Sequence, residues 1–146
     1  MKIIEPYKSY DEILSIPNIL KIQDSWFNNN SEALETLTHL YKVEILPTKE
    51  YEMNNKKKKM FEKSYLFYER LYKDLWEERE FYLSTVSKDR RIQLYARLFR
   101  AINFISKNGF VHLDIKSQNV MMSCNPLICS EQEFILKIID FGFLTP

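Results

Sequence analysis

The chain has 146 residues, with 21 basic and 20 acidic side chains, and the resulting net charge of +1 argues against a nucleic-acid-binding protein, which needs a strongly basic surface. Hydrophobic residues make up 45% of the chain, enough for a globular core, but no apolar run approaches the roughly 20 residues of a transmembrane helix. No cleavable signal pattern follows Met1. We therefore expect a domain of cytoplasmic or nuclear location that binds neither nucleic acid nor membrane.

A charged tract runs from Lys49 to Glu80 and contains the four consecutive lysines Lys56 to Lys59. The aromatic and leucine residues in its second half predict a helix. Lysines beside aromatic residues suggest a surface for nucleic acid or acidic lipid, but the balanced charge of the chain favours a solvated start of a helix with a packing face behind it. Recognition of a peptide substrate by this tract stays open.

The segment from Asp89 to Lys107 predicts a long amphipathic helix. Its apolar residues recur three or four positions apart and would form one buried stripe, consisting of Ile92, Tyr95, Leu98, Phe99, Ile102 and Ile105. Gly109 follows the last turn and predicts the end of the helix, because glycine adopts the left-handed backbone conformation without steric cost.

Short strands are predicted after this helix. Phe110 and Val111 would pair as one short strand, while Val120–Met122 and Phe134–Ile139 would form a hairpin. The connection from Ser123 to Glu133 should be a surface loop. It contains the two cysteines of the chain, which we expect to be free thiols in a reducing compartment, since zinc binding requires further Cys or His ligands nearby.

Polar residues at fixed spacing surround the predicted hairpin. The stretch from His112 to Asn119 has the pattern H-x-D-x-K-x-x-N, and Asp140 opens the sequence D-F-G at the end of the last strand. These polar residues could also be ordinary turn formers and solvated charges. That alternative explains the fixed spacing poorly, because the first group lies on a loop after a predicted helix and Asp140 lies at the end of a predicted strand. The pattern resembles the catalytic loop and metal-binding signature of eukaryotic protein kinases.

This resemblance implies a role for each motif residue. Asp114 would orient the substrate hydroxyl and accept its proton, and Lys116 would stabilise the charge that develops on the transferred phosphate. Asn119 and Asp140 would bind Mg²⁺ and, through the metal, the phosphates of ATP. His112 would be a structural hydrogen-bonding residue beneath the turn.

The resemblance also implies an α+β fold of the protein-kinase type, in truncated form. A small-lobe remnant and hinge would occupy about residues 1–48, and the start of the large lobe about residues 49–146. The helix, turn and strands expected upstream are a helix around Tyr7–Ser15, a turn at Ile16–Leu20, a strand at Lys21–Phe27, a polar turn at Asn28–Ser31 and a strand at Leu37–Leu46. The last strand would lead to the hinge, where the backbone of Glu44 and Leu46 would bind adenine; a plain hairpin without ligand is the alternative.

The chain departs from the family pattern in two respects. Leu113 replaces the usual arginine before the catalytic aspartate, which argues against control through a phosphorylated activation loop. With Gly109 and Gly142 as its two glycines, the sequence contains no G-x-G-x-x-G phosphate loop. The resemblance therefore covers the middle of the kinase fold, and we expect a fragment with negligible phosphotransfer activity on its own.

Three functions remain open. The first is a serine/threonine protein kinase that transfers the γ-phosphate of ATP to a protein hydroxyl. The second is an inactive kinase fragment that acts as a binding or regulatory module, with a complementing kinase chain as one kind of partner. The third is a small-molecule kinase of the aminoglycoside or choline type, which Lys116 and the D-F-G sequence argue against.

Overall fold

The computed structural model describes residues 2–4, 10–29, 35–45, 48–53, 56–61, 64–142 and 144–146. Its helices and strands, in chain order, are β1 (Lys2–Ile4), α1 (Tyr10–Asn29), β2 (Leu40–Ile45), β3 (Thr48–Met53), β4 (Lys56–Phe61), β5 (Ser64–Tyr68), α2 (Arg79–Thr85), α3 (Lys88–Lys107), β6 (Val120–Met122) and β7 (Leu136–Ile138). The helices and antiparallel sheets confirm the expected α+β class.

The strands form three separate sheets. One sheet has the order β1-β5-β2, while β3 pairs with β4 and β6 pairs with β7. Leu66 at the centre of β5 is fully buried and lies opposite Lys2 of β1 and Val43 of β2. Strand β5, the central strand of this sheet, ends at Tyr68. Strand β2 corresponds to the strand expected up to Leu46, a residue that lies outside the described ranges.

Helix α1 differs from the upstream prediction. The sequence predicted a turn at Ile16–Leu20 and a strand at Lys21–Phe27, but both segments belong to this one helix. The polar turn expected at Asn28–Ser31 begins inside the helix, and its last two residues lie outside the described part of the chain. The predictions of a turn at Ile16–Leu20 and of a strand at Lys21–Phe27 were therefore wrong.

Burial on one helical face explains why α1 continues past its proline. Pro17 lies inside the helix, where the missing N–H and the ring clash cost about 3 kcal/mol. Ile16, Ile19 and Ile22 recur three positions apart and are all buried in the core. Burying one such side chain contributes roughly 1.5–3 kcal/mol, so the three together outweigh the cost of the proline.

Gln23 of α1 takes over part of the hydrogen bonding that a neighbouring strand would supply. Its side-chain amide donates to the carbonyl of Leu40 at 3.2 Å and accepts from the N–H of Leu40 at 2.8 Å. Gln23 is only 4% exposed, so these two bonds satisfy backbone groups at the start of β2 in a water-poor environment.

The charged tract from Lys49 to Glu80 folds differently from its prediction. Its first part is the β3–β4 hairpin, in which the four lysines lie on β4, and the second part contains β5 in place of a helix. The backbone register places Glu50 opposite Lys59 and Glu52 opposite Lys57.

Helix α3 confirms the prediction for residues 89–107. The hydroxyl of Ser87 accepts the N–H of Arg90 at 3.3 Å and caps the first turn, where Asp89 complements the positive end of the helix dipole. Gly109 follows the helix with φ of +82°, the left-handed conformation expected there.

The predicted stripe of α3 is only partly buried. The helix buries Leu94, Ala101 and Ile105, whereas Tyr95 and Phe99 are 37% and 71% exposed. Ala101 and Ile105 pack in the same core cluster as Ile138 of β7, whereas Ile92 and Phe99 remain at the surface.

Two hydrophobic clusters hold the elements together. The first joins α1, the three-stranded sheet, α3 and the residues around β7, and contains Ile16, Ile19, Ile22, Leu37, Leu40, Leu66, Ala101, Ile105, Phe110, Ile138, Phe141 and Leu144. The second joins α2, α3 and the β6–β7 hairpin, and contains Tyr82, Val86, Leu94, Val120, Met122, Phe134 and Leu136. The β6–β7 hairpin contributes to both clusters, with Ile138 in the first and Val120, Met122 and Leu136 in the second.

The connection between β6 and β7 is a surface loop, as predicted. Leu127 and Ile128 at its tip are 70% and 84% exposed. Cys124 and Cys129 form a disulfide in this loop, which corrects the expectation of free thiols. The turn between them brings their Cα atoms within 6.3 Å, inside the range that a disulfide spans, a closeness that spacing alone did not reveal.

Within the described ranges, none of the helices combines the length and apolar character needed to cross a membrane.

We predict that Gln23→Leu lowers the free energy of unfolding by about 2 kcal/mol or more, because it leaves two buried backbone groups of Leu40 without partners. Urea denaturation followed by circular dichroism measures the change. Gln132→Leu, at an exposed position of the β6–β7 loop, is the matched control and should shift the midpoint little. Equal effects of the two substitutions would contradict the bridging role of Gln23.

We predict that reduction of the Cys124–Cys129 disulfide lowers stability by about 2 kcal/mol, the chain-entropy value for a short loop. Urea denaturation with and without a dithiol reductant measures the difference. The variant Cys124→Ser/Cys129→Ser should be as stable as the reduced chain and insensitive to the reductant. Alkylation of both cysteines in the folded, unreduced chain would show that the bond is absent.

Candidate functional site

The polar motif lies on the loop between α3 and β6 and on the segment that follows β7. Val111 and Thr145 anchor the two segments to each other, with backbone hydrogen bonds of 2.7 and 3.0 Å in both directions. The short strand expected at Phe110–Val111 is thus present as a single bridge, and Phe110 is buried beside it. This pairing brings the start of the loop next to the chain that leaves the hairpin.

Asp114, Lys116 and Asn119 are in direct contact. Nζ of Lys116 donates to Oδ2 of Asp114 at 2.9 Å, and Nδ2 of Asn119 donates to the same oxygen at 2.8 Å. Nδ2 of Asn119 also donates to the backbone carbonyl of Asp114 at 2.9 Å. Asn119 is buried in a short 3₁₀ turn, so its amide fixes the Asp114 carboxylate from beneath, while Lys116 approaches from the solvent side.

This contact keeps Asp114 ionised. The hydrogen bond from Lys116 and the positive charge of its ammonium group lower the pKa of Asp114 below its ordinary value, and the hydrogen bond from Asn119 acts in the same direction. Partial desolvation opposes these effects without reversing them. Asp114 is therefore a carboxylate that can accept a hydrogen bond from a hydroxyl group at neutral pH.

His112 is a buried structural residue of the site. Its Nε2 lies 3.1 Å from the carbonyl oxygen of Ile139, and its ring meets the edge of Phe141 at a centroid distance of 5.2 Å. Burial lowers the pKa of His112, although the carboxylates of Asp140 and Asp114 oppose that shift. A neutral imidazole that donates from Nε2 to Ile139 fits this position, as the sequence suggested.

Asp140 directly follows the residue that ties β7 to the catalytic loop. The N–H of Ile139 donates to the carbonyl of Asn119 at 2.9 Å, which brings the end of β7 beside the 3₁₀ turn. Asp140 has φ of +58°, and its Oδ1 accepts the N–H of Gly142 at 3.4 Å. The carboxylates of Asp140 and Asp114 both act electrostatically on His112 and oppose the lowering of its pKa.

The oxygen atoms of Asn119 and Asp140 suit Mg²⁺. Because Nδ2 of Asn119 is directed at Asp114, the other amide atom, Oδ1, is the one that can face a cation. Among the residues that the structure describes, no three His, Cys, Asp or Glu side chains gather as a metal cluster. Mg²⁺ fits such a sparse set, since it keeps several waters and is completed by substrate phosphates.

The sequence predicts that Glu44 and Leu46 bind adenine. Glu44 lies within β2, opposite Tyr65 of β5, and its carboxylate pairs with Lys42. Leu46 lies outside the described residues. The assignment of adenine binding to these two residues therefore stays a prediction.

Residues 69–75, which we call the linker, follow β5 in the chain and run alongside strand β6 of the hairpin. The N–H of Tyr72 donates to the carbonyl of Met122 at 2.9 Å, and the N–H of Met122 donates to the carbonyl of Lys73 at 2.8 Å. The N–H of Leu75 donates to the carbonyl of Val120 at 2.9 Å. These bonds fasten the linker along β6.

Glu69 and Lys137 form an ion pair that sequence reasoning missed. Nζ of Lys137 lies 2.8 Å from both carboxylate oxygens of Glu69, and both side chains are largely buried. The partners are 68 residues apart; Glu69 directly follows β5, and Lys137 is the central residue of β7. No local pattern in the sequence could have paired them.

Comparison with known proteins agrees with this geometry. Residues 14–145 match the family described as protein kinase domain. The chain is 31% identical to cyclin-dependent kinase-like 5 of Homo sapiens and of Mus musculus over 140 residues, which are 94% of this chain and 13% of each relative. It is 27% identical to calcium-dependent protein kinase 4 of Plasmodium falciparum over 111 residues, which are 73% of this chain and 20% of that relative.

The chain thus spans a small part of the length of these relatives, while the family match covers nearly all of the chain. The match includes both the catalytic loop and the D-F-G segment, whose residues the fold brings together. The chain belongs to the protein kinase family.

Proposed function

We propose that this chain carries the phosphotransfer centre of a serine/threonine protein kinase, which moves the γ-phosphate of ATP to a protein hydroxyl. The supporting observation is the contact of Lys116 and Asn119 with one oxygen of Asp114. The names of both relatives, cyclin-dependent kinase-like 5 and calcium-dependent protein kinase 4, contain the word kinase, and this chain matches the protein kinase family. The alignment with each relative includes a large part of this chain.

Asp114 is the proposed base and orienting group. Phosphoryl transfer depends mainly on positioning and on charge neutralisation, so a carboxylate held by two donors is well prepared to align a hydroxyl group. Lys116 lies on the exposed side of this carboxylate, where its ammonium can also neutralise charge on a phosphoryl group that arrives from solvent.

Asn119 and Asp140 are the proposed ligands of Mg²⁺. The metal, when bound with ATP, would neutralise phosphate charge and fix the orientation of the phosphates. The role of the chain is to hold the two oxygen donors at the adjacent ends of the 3₁₀ turn and β7, a proximity supported by the backbone bond between Ile139 and Asn119.

The adenine site is proposed at the start of the linker, in place of Glu44 and Leu46. Residues 69–71 follow β5 directly and lead onto β6, so their backbone lies at the junction of the sheet and the catalytic hairpin. On this proposal the small-lobe unit comprises about residues 2–68, and the large-lobe unit begins with the linker.

A binding or regulatory module is the second candidate function. It is favoured by an apolar cavity of about 240 Å³ beside α3, lined by Tyr95, Leu98, Phe99, Ile102, Ile115, Val120 and Ile138. The sequence also has no glycine-rich phosphate loop. Nucleotide binding distinguishes the candidates, because only the kinase proposal requires it.

We predict that the chain alone transfers phosphate negligibly but binds ADP weakly in the presence of Mg²⁺. Asp140→Asn should weaken this binding about ten-fold or more, since bonds to charged groups are worth roughly 1.5–3 kcal/mol. Titration calorimetry with and without Mg²⁺ measures the binding. Asp89→Asn, at an exposed position in the first turn of α3, is the control and should leave the binding unchanged.

An Asp140→Asn variant that binds Mg²⁺ and ADP as tightly as the original chain would contradict the metal assignment. Robust transfer of radiolabelled phosphate to a basic protein, abolished by Asp114→Ala, would instead overturn the expectation of negligible activity. Absence of any Mg²⁺-dependent nucleotide binding would leave the binding module as the better proposal.

We predict that Lys116→Met raises the pKa of Asp114 towards its ordinary value, because Lys116 is the largest cause of its lowering. In the original chain, the Asp114–Lys116 pair stabilises the fold at pH values above the pKa that Asp114 has in the unfolded chain. This stabilisation is lost as the pH falls through the lower pKa that Asp114 has in the folded chain. Carboxyl NMR titration of Asp114 follows the change. Lys88→Met, on the exposed first turn of α3, should leave the titration unchanged.

A further inference from the structure

The ion pair between Glu69 and Lys137 joins the two parts of the molecule on which the proposed nucleotide site depends. Glu69 is the first residue of the linker, and Lys137 is the central residue of β7, three positions before Asp140. Both oxygens of the carboxylate lie 2.8 Å from the ammonium nitrogen. A contact of this kind transmits any displacement of one segment to the other.

A third segment meets the pair at the same place. The N–H of His39 donates to Oε1 of Glu69 at 2.9 Å, and the N–H of Glu69 donates to the carbonyl of His39 at 3.0 Å. The preceding residue, Thr38, donates its N–H to Ile138 of β7 at 3.0 Å. The segment before β2, the start of the linker and β7 are therefore cross-linked around one carboxylate.

Burial makes this pair stronger than an ordinary surface contact. The side chains of Lys137 and Glu69 are 13% and 16% exposed, so solvent screens their attraction little. Removal of one partner would leave the other charge partly buried without its main compensation. Lys73, further along the linker, pairs with Glu77 and Glu78 instead at 3.2 Å, but its side chain is 39% exposed.

We infer that Glu69 and Lys137 form a latch that fixes the linker against β7 and so positions Asp140 relative to the adenine side of the site. Both are positioning residues, since neither is among the groups proposed to touch the reacting atoms. The inference about the nucleotide rests on the proposed function; the mechanical latch between linker and strand does not.

Breaking the latch should loosen the linker locally. In Lys137→Met, amide hydrogen exchange of residues 69–75 should accelerate about ten-fold or more, because opening no longer has to break the charged contact. Exchange in α3 should stay unchanged. Lys137→Arg keeps the charge and should retain most of the protection, whereas Lys73→Met, which removes the exposed pair in the same linker, should have little effect.

A double variant distinguishes loss of the Glu69–Lys137 contact from the effect of the unpaired Glu69 carboxylate that Lys137→Met leaves behind. Glu69→Gln/Lys137→Met contains no unpaired ion, so fast exchange in the linker must persist if the contact itself closes it. Return of the double variant to the exchange rates of the original chain would overturn the inference. Unchanged exchange in Lys137→Met would overturn it as well.

The nucleotide measurement tests what the latch does for the site. Release of a fluorescent ADP in the presence of Mg²⁺ should be several-fold faster in Lys137→Met and nearly normal in Lys137→Arg. If the original chain binds no nucleotide, the proposed function fails while the exchange measurement still decides on the latch. If it binds nucleotide and release is equally fast in all variants, the positioning role fails and the proposed function stands.

Discussion

The buried amide of Asn119 is the contact on which the geometry of the site depends. Its Nδ2 donates to both the carbonyl and the carboxylate of Asp114, and its backbone carbonyl accepts the N–H of Ile139, the residue before Asp140. One residue thus fixes the catalytic loop from within and ties it to the end of β7. Because Asn119 is only 6% exposed, loss of these bonds would leave buried polar groups unpaired.

The two hydrophobic clusters explain why this arrangement is rigid. Val120 and Met122 of β6 pack into the cluster with α2, while Ile138 of β7 packs into the cluster with α1 and α3. The hairpin therefore packs against both clusters through one face, and this packing fixes the position of the polar residues at its ends. The linker bonds to β6, and the Glu69–Lys137 pair reaches β7, so both strands are also tied to the sheet.

Sequence reasoning succeeded where the decisive information was local. The end of α3 before Gly109, the spacing of apolar residues in α3 and the fixed offsets from His112 to Asn119 are each set by residues a few positions apart. It failed where distant contacts decide. Ile19 and Ile22 are buried against residues far along the chain, so the segment expected as a turn and a strand is a helix.

Backbone strain at the site shows what these contacts achieve. Leu113 and Asp140 have φ of +59° and +58°, a left-handed conformation that costs a residue with a side chain about 1–2 kcal/mol. They flank His112 and Ile139, whose hydrogen bond of 3.1 Å joins the two strained turns. Asp114 directly follows the first of these residues, and Asp140 is itself the second. A site that works mainly by positioning benefits from such strain, because the surrounding core and hydrogen bonds hold the carboxylates in place before any ligand arrives.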